Sequence, residues 1–216
     1  MKKINLKSIL LCLLAASLCN CGNDDFTGSD TLITVTRELP DFSRIEAGAV
    51  IDVRVSFGQT QVVEVTVNDN LEDQLKTEVS NGVLNISLEQ GSFDNATFIV
   101  EILMPNLEGL RLRGSSQATV RYNNSVLDLN VSGSAKVAMQ GSTDVFNVDV
   151  AGSAEIGGFP FMADVANVDL SGAATLELTA TGTINGSVSG AAELRYKGMP
   201  TVNVQTSGAG RVVNAN

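Results

Sequence analysis

From about residue 110 onward, apolar side chains fall on every second position, and short runs of Gly, Ser and Ala interrupt the alternation at regular intervals. The segment "VSGSAKVAM" (131–139) returns as "VAGSAEIGG", "LSGAATLEL", "VSGAAELRY" and "TSGAGRVVN". Aligned on their glycine, these runs give Gly114, Gly133, Gly152, Gly172, Gly190 and Gly208, spaced 19, 19, 20, 18 and 18 residues apart. Two residues before the glycine stand Leu112, Val131, Val150, Leu170, Val188 and Thr206; four after it stand Ala118, Val137, Ile156, Leu176, Leu194 and Val212. A period of two is the signature of strands with one buried face. Each unit therefore reads as strand, small-residue corner, strand, loop. A unit this short cannot bury its apolar face alone, so successive units must stack edge to edge. The expected fold is all-β, a parallel β-helix with coils of about 18–20 residues and equivalent residues roughly 4.8 Å apart. The wavering spacing, with no strict hexapeptide, favours the right-handed form.

The corner itself reads as architecture. Glycine reaches positive φ without strain, and a small neighbour lets consecutive coils turn without crowding the interior.

Residues 31–112 are less regular. Alternating strands such as "VIDVRVSFG" and "QVVEVTVN" occur there, and "EVSNGVLNISL" predicts a hairpin about Asn81-Gly82, a pair suited to a type I′ turn. "DNLEDQLKTEV" could hold a short helix, with Leu71, Leu75 and Val79 four apart. This region is expected to start and cap the solenoid that residues 113–216 continue; a separate small β-domain is the alternative.

Stacking converts sequence positions into columns. Five residues before the glycine the column is Asp128, Asn147, Asn167, Asn185 and Asn203. It reads either as an amide ladder that fixes register or as a polar strip that binds a polymer. Three before the glycine the column contains Asp149 and Asp169, neighbours on adjacent coils. Such a pair is open to three readings: solvated structural carboxylates, a glycosidase-like acid pair, or oxygen ligands for Ca²⁺. No Gly-Gly-x-Gly-x-Asp calcium repeat accompanies it. Three after the glycine, Lys136 and Glu155, then Glu193 and Arg211, bring opposite charges onto adjacent coils, as do Glu177 and Arg195 two positions further on.

The chain opens with three lysines and an apolar run from Ile9 to Leu18, too short to span a membrane and the length of a signal-peptide core. Residues 1–20 are thus expected to be an export signal. Cys21 and the residues before it resemble a lipobox, which implies cleavage there and lipidation of Cys21, with membrane attachment through that lipid. The acidic stretch 21–30 reads as a flexible tether. Asp30-Thr31-Leu32 resembles an O-glycosylation acceptor centred on Thr31. Without Lys2, Lys3 and Lys7, 11 basic residues face 24 acidic ones, a net charge of −13. Nucleic-acid binding is excluded on that balance, because it depends on neutralisation by Lys and Arg.

The "SGSA" and "SGAA" corners resemble a known family, as do the entry "FSRIEAGAVIDVRVSFG", the central "VEILMPNLEGLRLRGSSQATV" and the late "LRYKGMPTVNVQTSGAGRV". It is the putative auto-transporter adhesin, head GIN domain family. The resemblance runs from about residue 42 to 213. It implies an exported or lipid-anchored bacterial β-helix and carries no catalytic residues with it.

The chain has no histidine and no tryptophan, and only Tyr122 and Tyr196 as phenols. Histidine-based catalysis and metal ligation are therefore closed to it, and an aromatic platform for sugars is weak. No cofactor is expected. The sequence reading is a lipid-anchored envelope protein, outer-membrane and either surface or periplasmic. It would act as adhesin or scaffold on a surface glycan or protein through an extended polar face. The alternative is a polysaccharide-binding or polysaccharide-processing protein using Asp149 and Asp169. An uncovered last coil would also invite self-association.

Overall fold

The computed structural model describes residues 24–216; the expected signal segment and Cys21 lie outside the described residues. The repeated glycines stand in line. Gly114 pairs with Gly133, Gly133 with Gly152, and Gly152 with Gly172, all with positive φ. The following residue's N–H donates to the glycine carbonyl of the coil before, as Ser134 does to Gly114 (2.8 Å), Ser153 to Gly133 (2.9 Å) and Ala191 to Gly172 (2.7 Å). A Cβ added at Gly133, Gly152 or Gly172 would run into that same carbonyl oxygen. The small residue two places on, Ala135, Ala154, Ala174 or Ala192, points into the core and is buried.

The N-terminal half comprises β1 (Asp25–Thr27), β2 (Leu32–Arg37), β3 (Arg44–Ala47), β4 (Asp52–Phe57), β5 (Val62–Asn68), a 3-10 helix (Asp69–Gln74), β6 (Leu75–Ser80), β7 (Val83–Leu88), β8 (Ser92–Asp94), β9 (Phe98–Met104) and β10 (Gly109–Gly114). The regular half comprises β11 (Gln117–Gly133), β12 (Lys136–Gly152), β13 (Glu155–Gly157), β14 (Phe161–Gly172), β15 (Thr175–Val188), β16 (Glu193–Lys197), β17 (Thr201–Thr206) and β18 (Arg211–Asn214). Together they form a parallel β-solenoid of about six turns.

Each coil contributes to two walls. Residues before the glycine build one: β6, β7, β3, β10, the later parts of β11, β12, β14 and β15, then β17. Residues after it build the other: β2, β5, β9, β4, the early parts of β11 and β12, β13, the start of β15, β16 and β18. Alternate side chains from both walls fill the core, with Leu129, Val148, Val168, Ala118, Val137 and Ile156 all buried.

The loop expected in each unit is absent from three coils. β11, β12 and β15 run unbroken through the second bend, and between β11 and β12 the ladder continues across it as Asn123 pairs with Ser142 and Asn124 with Thr143. Variation in coil length is absorbed near this bend, at residues 158–160 and at a register shift between Ala163 and Val165, leaving the glycine corner in register.

In the N-terminal half the order of rungs departs from chain order. β3 lies between β7 and β10, and β4 between β9 and β11, so the first coil in sequence is inserted beneath a rung made later. Antiparallel strands β5 with β2, and β6, close that end. The turn Asn81-Gly82 has positive φ at both residues, as a type I′ hairpin requires. The helical turn covers only Asp69–Gln74; Leu75 onward is strand β6, whose ladder with β7 outcompetes the four-residue apolar spacing. The turn places Leu71 over the end of the core, where it is 1% exposed.

The tether expected over 21–30 is corrected for its described residues. β1 pairs with β8, Phe26 stacks on Phe93 (5.2 Å between centroids), and the buried Asn68 side chain donates to the Ser29 carbonyl at 2.6 Å. Acidity suggested solvation there, but Phe26 and the backbone hydrogen bonds hold the segment against the fold.

Candidate functional site

The outer surface of the wall before the glycines carries the asparagine column. Cα pairing puts Asp128, Asn147, Asn167, Asn185 and Asn203 in register. Their side chains form one chain of hydrogen bonds. Asn147 Nδ2 donates to Asp128 Oδ1 (2.8 Å), Asn167 to Asn147 (2.8 Å), Asn185 to Asn167 (3.3 Å) and Asn203 to Asn185 (3.2 Å). At the N-terminal end Arg44 Nη2 donates to Asp128 Oδ2 at 2.9 Å, so the ladder ends on an ion pair. An amide has two N–H donors and two acceptor lone pairs. Each internal Asn spends one of each on its neighbours and keeps the remainder for solvent or ligand.

Beside this ladder run Arg111, Asn130, Asp149, Asp169, Ser187 and Gln205, also in register. Asp149 and Asp169 are direct neighbours, both exposed, and Asp169 Oδ1 accepts from Ser187 Oγ at 2.8 Å. Both carboxylates stand open to solvent on the outer face. Among the described residues no three His, Cys, Asp or Glu side chains converge as metal ligands. The basic residues of this surface, Arg44, Arg111 and Arg113, sit at its N-terminal end and pair with Asp128, Glu108 and Glu46. Further along, the outward positions are Asn, Asp, Ser, Gln, Thr and small apolar residues. The result is a face of amides, hydroxyls and carboxylates whose positions recur once per coil, about 4.8 Å apart.

The opposite wall differs in chemistry. Lys136 pairs with Glu155 (3.2 Å), Arg195 with Glu177 (3.8 Å) and Arg211 with Glu193 (2.8 Å), each across adjacent coils. Arg54 bridges Asp52 (2.8 Å) and Glu101 (3.2 Å), and its hydrogen bond to Asp52 leads in raising its pKa. A shallow hollow of about 560 Å³ opens where the outward column shrinks to Thr119, Ala138 and Gly157, rimmed by Arg54, Arg121 and Lys136. Sequence reasoning missed this hollow; its signal was small residues recurring five places after consecutive glycines.

Thr31 is exposed, with its backbone held by Ser29 and Asp69. Cys21 lies outside the described residues. The small-residue corners form a backbone ladder, which fills the structural role read from their composition.

Three solved structures share this architecture. A putative adhesin from Bacteroides fragilis matches with a TM-score of 0.69 at 20% identity, covering 88% of this chain and 99% of its own. A putative lipid binding protein from Parabacteroides distasonis gives 0.56 at 19% identity, covering 89% and 100%. A putative adhesin from Parabacteroides merdae gives 0.52 at 24% identity, with the same coverage. At these identities the likeness establishes the fold. Among curated proteins none matches. The sequence profile of one family, described as putative auto-transporter adhesin, head GIN domain, matches residues 41–200. The chain belongs to that family.

Proposed function

We propose that the protein is an exported envelope adhesin, held to the outer membrane by lipid on Cys21, that binds a surface glycan along its amide face. The carrying observation is the unbroken ladder from Asp128 to Asn203, which presents spare amide donors and acceptors at one coil's spacing. A polymer with regularly spaced hydroxyls can meet such a face at several coils at once, and repeated weak contacts multiply. Family membership supports the adhesin reading. The scarcity of cations beyond the first coils disfavours polyanionic ligands.

The test is binding of the purified chain to an array of neutral and acidic polysaccharides, repeated with Asn167→Leu and Asn185→Leu. Binding that survives both substitutions would sink the reading, as would binding confined to polyanions. Protease treatment of whole cells checks surface display. A second reading, processing of the glycan, rests on the register of Asp149 with Asp169. Asp149→Asn combined with Asp169→Asn should leave binding intact if the pair is structural, and should abolish any product formation if it is catalytic.

A further inference from the structure

The two ends of the solenoid are built differently. At the N-terminal end Leu71 and Leu75 seal the core at 1% and 3% exposure, and charges line the outer elements, with Arg37 paired to Glu72 (3.2 Å) and Lys76 to Glu89 (3.5 Å). At the other end, among the described residues, nothing lies over β17 or β18. β17 pairs only with β15 and β18 only with β16. Val202 and Val212 continue the columns of Ile184 and Leu194, which are fully buried, yet they and Val204 remain partly exposed. Met199, in the bend before β17, is 95% exposed. Sheet edges left free usually carry charges, proline or bulges that deter pairing. β17 holds no charged residue, and β18 holds only Arg211, which Glu193 neutralises.

Charge points the same way. Residues 194–216 contain Arg195, Lys197 and Arg211 and no acidic side chain, although the chain has 24 acidic residues. Two copies of so acidic a protein repel over most of their surface, and this last coil is where they can approach closely. Its geometry selects the occupant. The coil offers two open edges, one on each wall, held a core's thickness apart. One extended peptide can satisfy a single edge and leaves the other bare. A second copy related by a two-fold axis normal to both walls sets β17 antiparallel to its counterpart and β18 antiparallel to its counterpart together.

We propose that the protein forms a tail-to-tail dimer through the edges of β17 and β18, continuing both sheets and covering Val202, Val204 and Val212. The chain enters the fold at the far end, where β1 pairs with β8, so the dimer carries its two entry points at opposite ends. Given the lipid anchor at Cys21 proposed above, such a dimer bridges two membranes, a homophilic form of adhesion.

Solution pairing is tested on the chain from residue 21 onward with Cys21→Ser, by sedimentation from low micromolar to submillimolar concentration. The expected result is a monomer–dimer equilibrium with no larger species. Val204→Lys and Val212→Lys each place an ammonium where water reaches it in the monomer and where the dimer would bury it. Each should weaken association tenfold or more with unchanged circular dichroism and melting. A wild-type chain that stays monomeric throughout, or grows beyond the dimer by head-to-tail stacking, overturns the proposal. So does a folded Lys variant that dimerises as tightly as wild type. In a second arm, beads coupled through the Cys21 thiol should clump, and Val204→Lys beads should not. Dimers in solution without clumping would overturn the bridging role and leave the interface standing.

Discussion

Gly152 and Gly157, five residues apart, should respond oppositely to the same substitution. Gly152 has φ of +138°, and a Cβ there would collide with the carbonyl oxygen of Gly133. Alanine at such a backbone position costs about 1–3 kcal/mol in strain. Relieving the collision pushes the corner away from the coil before it and weakens the hydrogen bond from Ser153 N–H to Gly133 (2.9 Å), worth about 0.5–1.5 kcal/mol. Gly152→Ala should therefore destabilise by about 2–4 kcal/mol. At Gly157 φ lies outside the left-handed region, and the nearest atom to an added Cβ is Val137 O at 3.9 Å. Gly157→Ala should stabilise by about 0.4–1 kcal/mol through reduced freedom of the unfolded chain. Urea denaturation reads both effects as shifts of midpoint at constant slope. In thermal melts the loss at Gly152 corresponds to a shift on the order of 10 °C for a domain of this size. Equal responses at the two positions would refute the claim that the corner is fixed by positive φ and close backbone approach.

Ala154, 4% exposed at the inward side of the same corner, has Ala135 and Ala174 at the equivalent positions of the coils on either side. Ala154→Leu should cost about 1–3 kcal/mol by overpacking, and an unchanged melting temperature would show that the corner has spare room. Lys136→Met breaks an ion pair whose side chains are both 68% exposed, and urea midpoints should move by no more than a few tenths of a molar unit, about the scale of a surface pair. Tyr122 is buried, which raises its phenol above the usual range, and its hydroxyl donates to the Met104 carbonyl at 3.0 Å. The unfolded chain then loses the phenolic proton at a pH where the fold still holds it. The stability tied to Tyr122 is thus intact below about pH 10 and falls as pH rises above it. Tyr122→Phe should be less stable at neutral pH by about 1 kcal/mol and show a shallower alkaline decline than wild type; parallel pH profiles would contradict this.

The regular half was legible because chain order and spatial order coincide there. Once Gly133, Gly152 and Gly172 are aligned in sequence they are aligned in space, so the columns of Asn147, Asn167 and Asn185, and of Asp149 with Asp169, could be written down before the fold was known. The pairs Lys136–Glu155 and Glu193–Arg211 were legible for the same reason. The N-terminal half was not. Inserting β3 and β4 beneath the rung of β7 and β9 joins residues at changing sequence separations, and no periodicity records that. Phe26 gave no sign of its partner Phe93, which is distant in sequence.

Alternation and spacing alone therefore determined the strands, the stacking and the residues that share a column, since a one-dimensional repeat fixes nearest neighbours. Only the tertiary structure decided the rest. The asparagine amides are joined in one direction and anchored on Arg44. The core is sealed at Leu71 but open at Val204. These features depend on side-chain orientation and on contacts between segments far apart in the chain, which local sequence pattern does not encode.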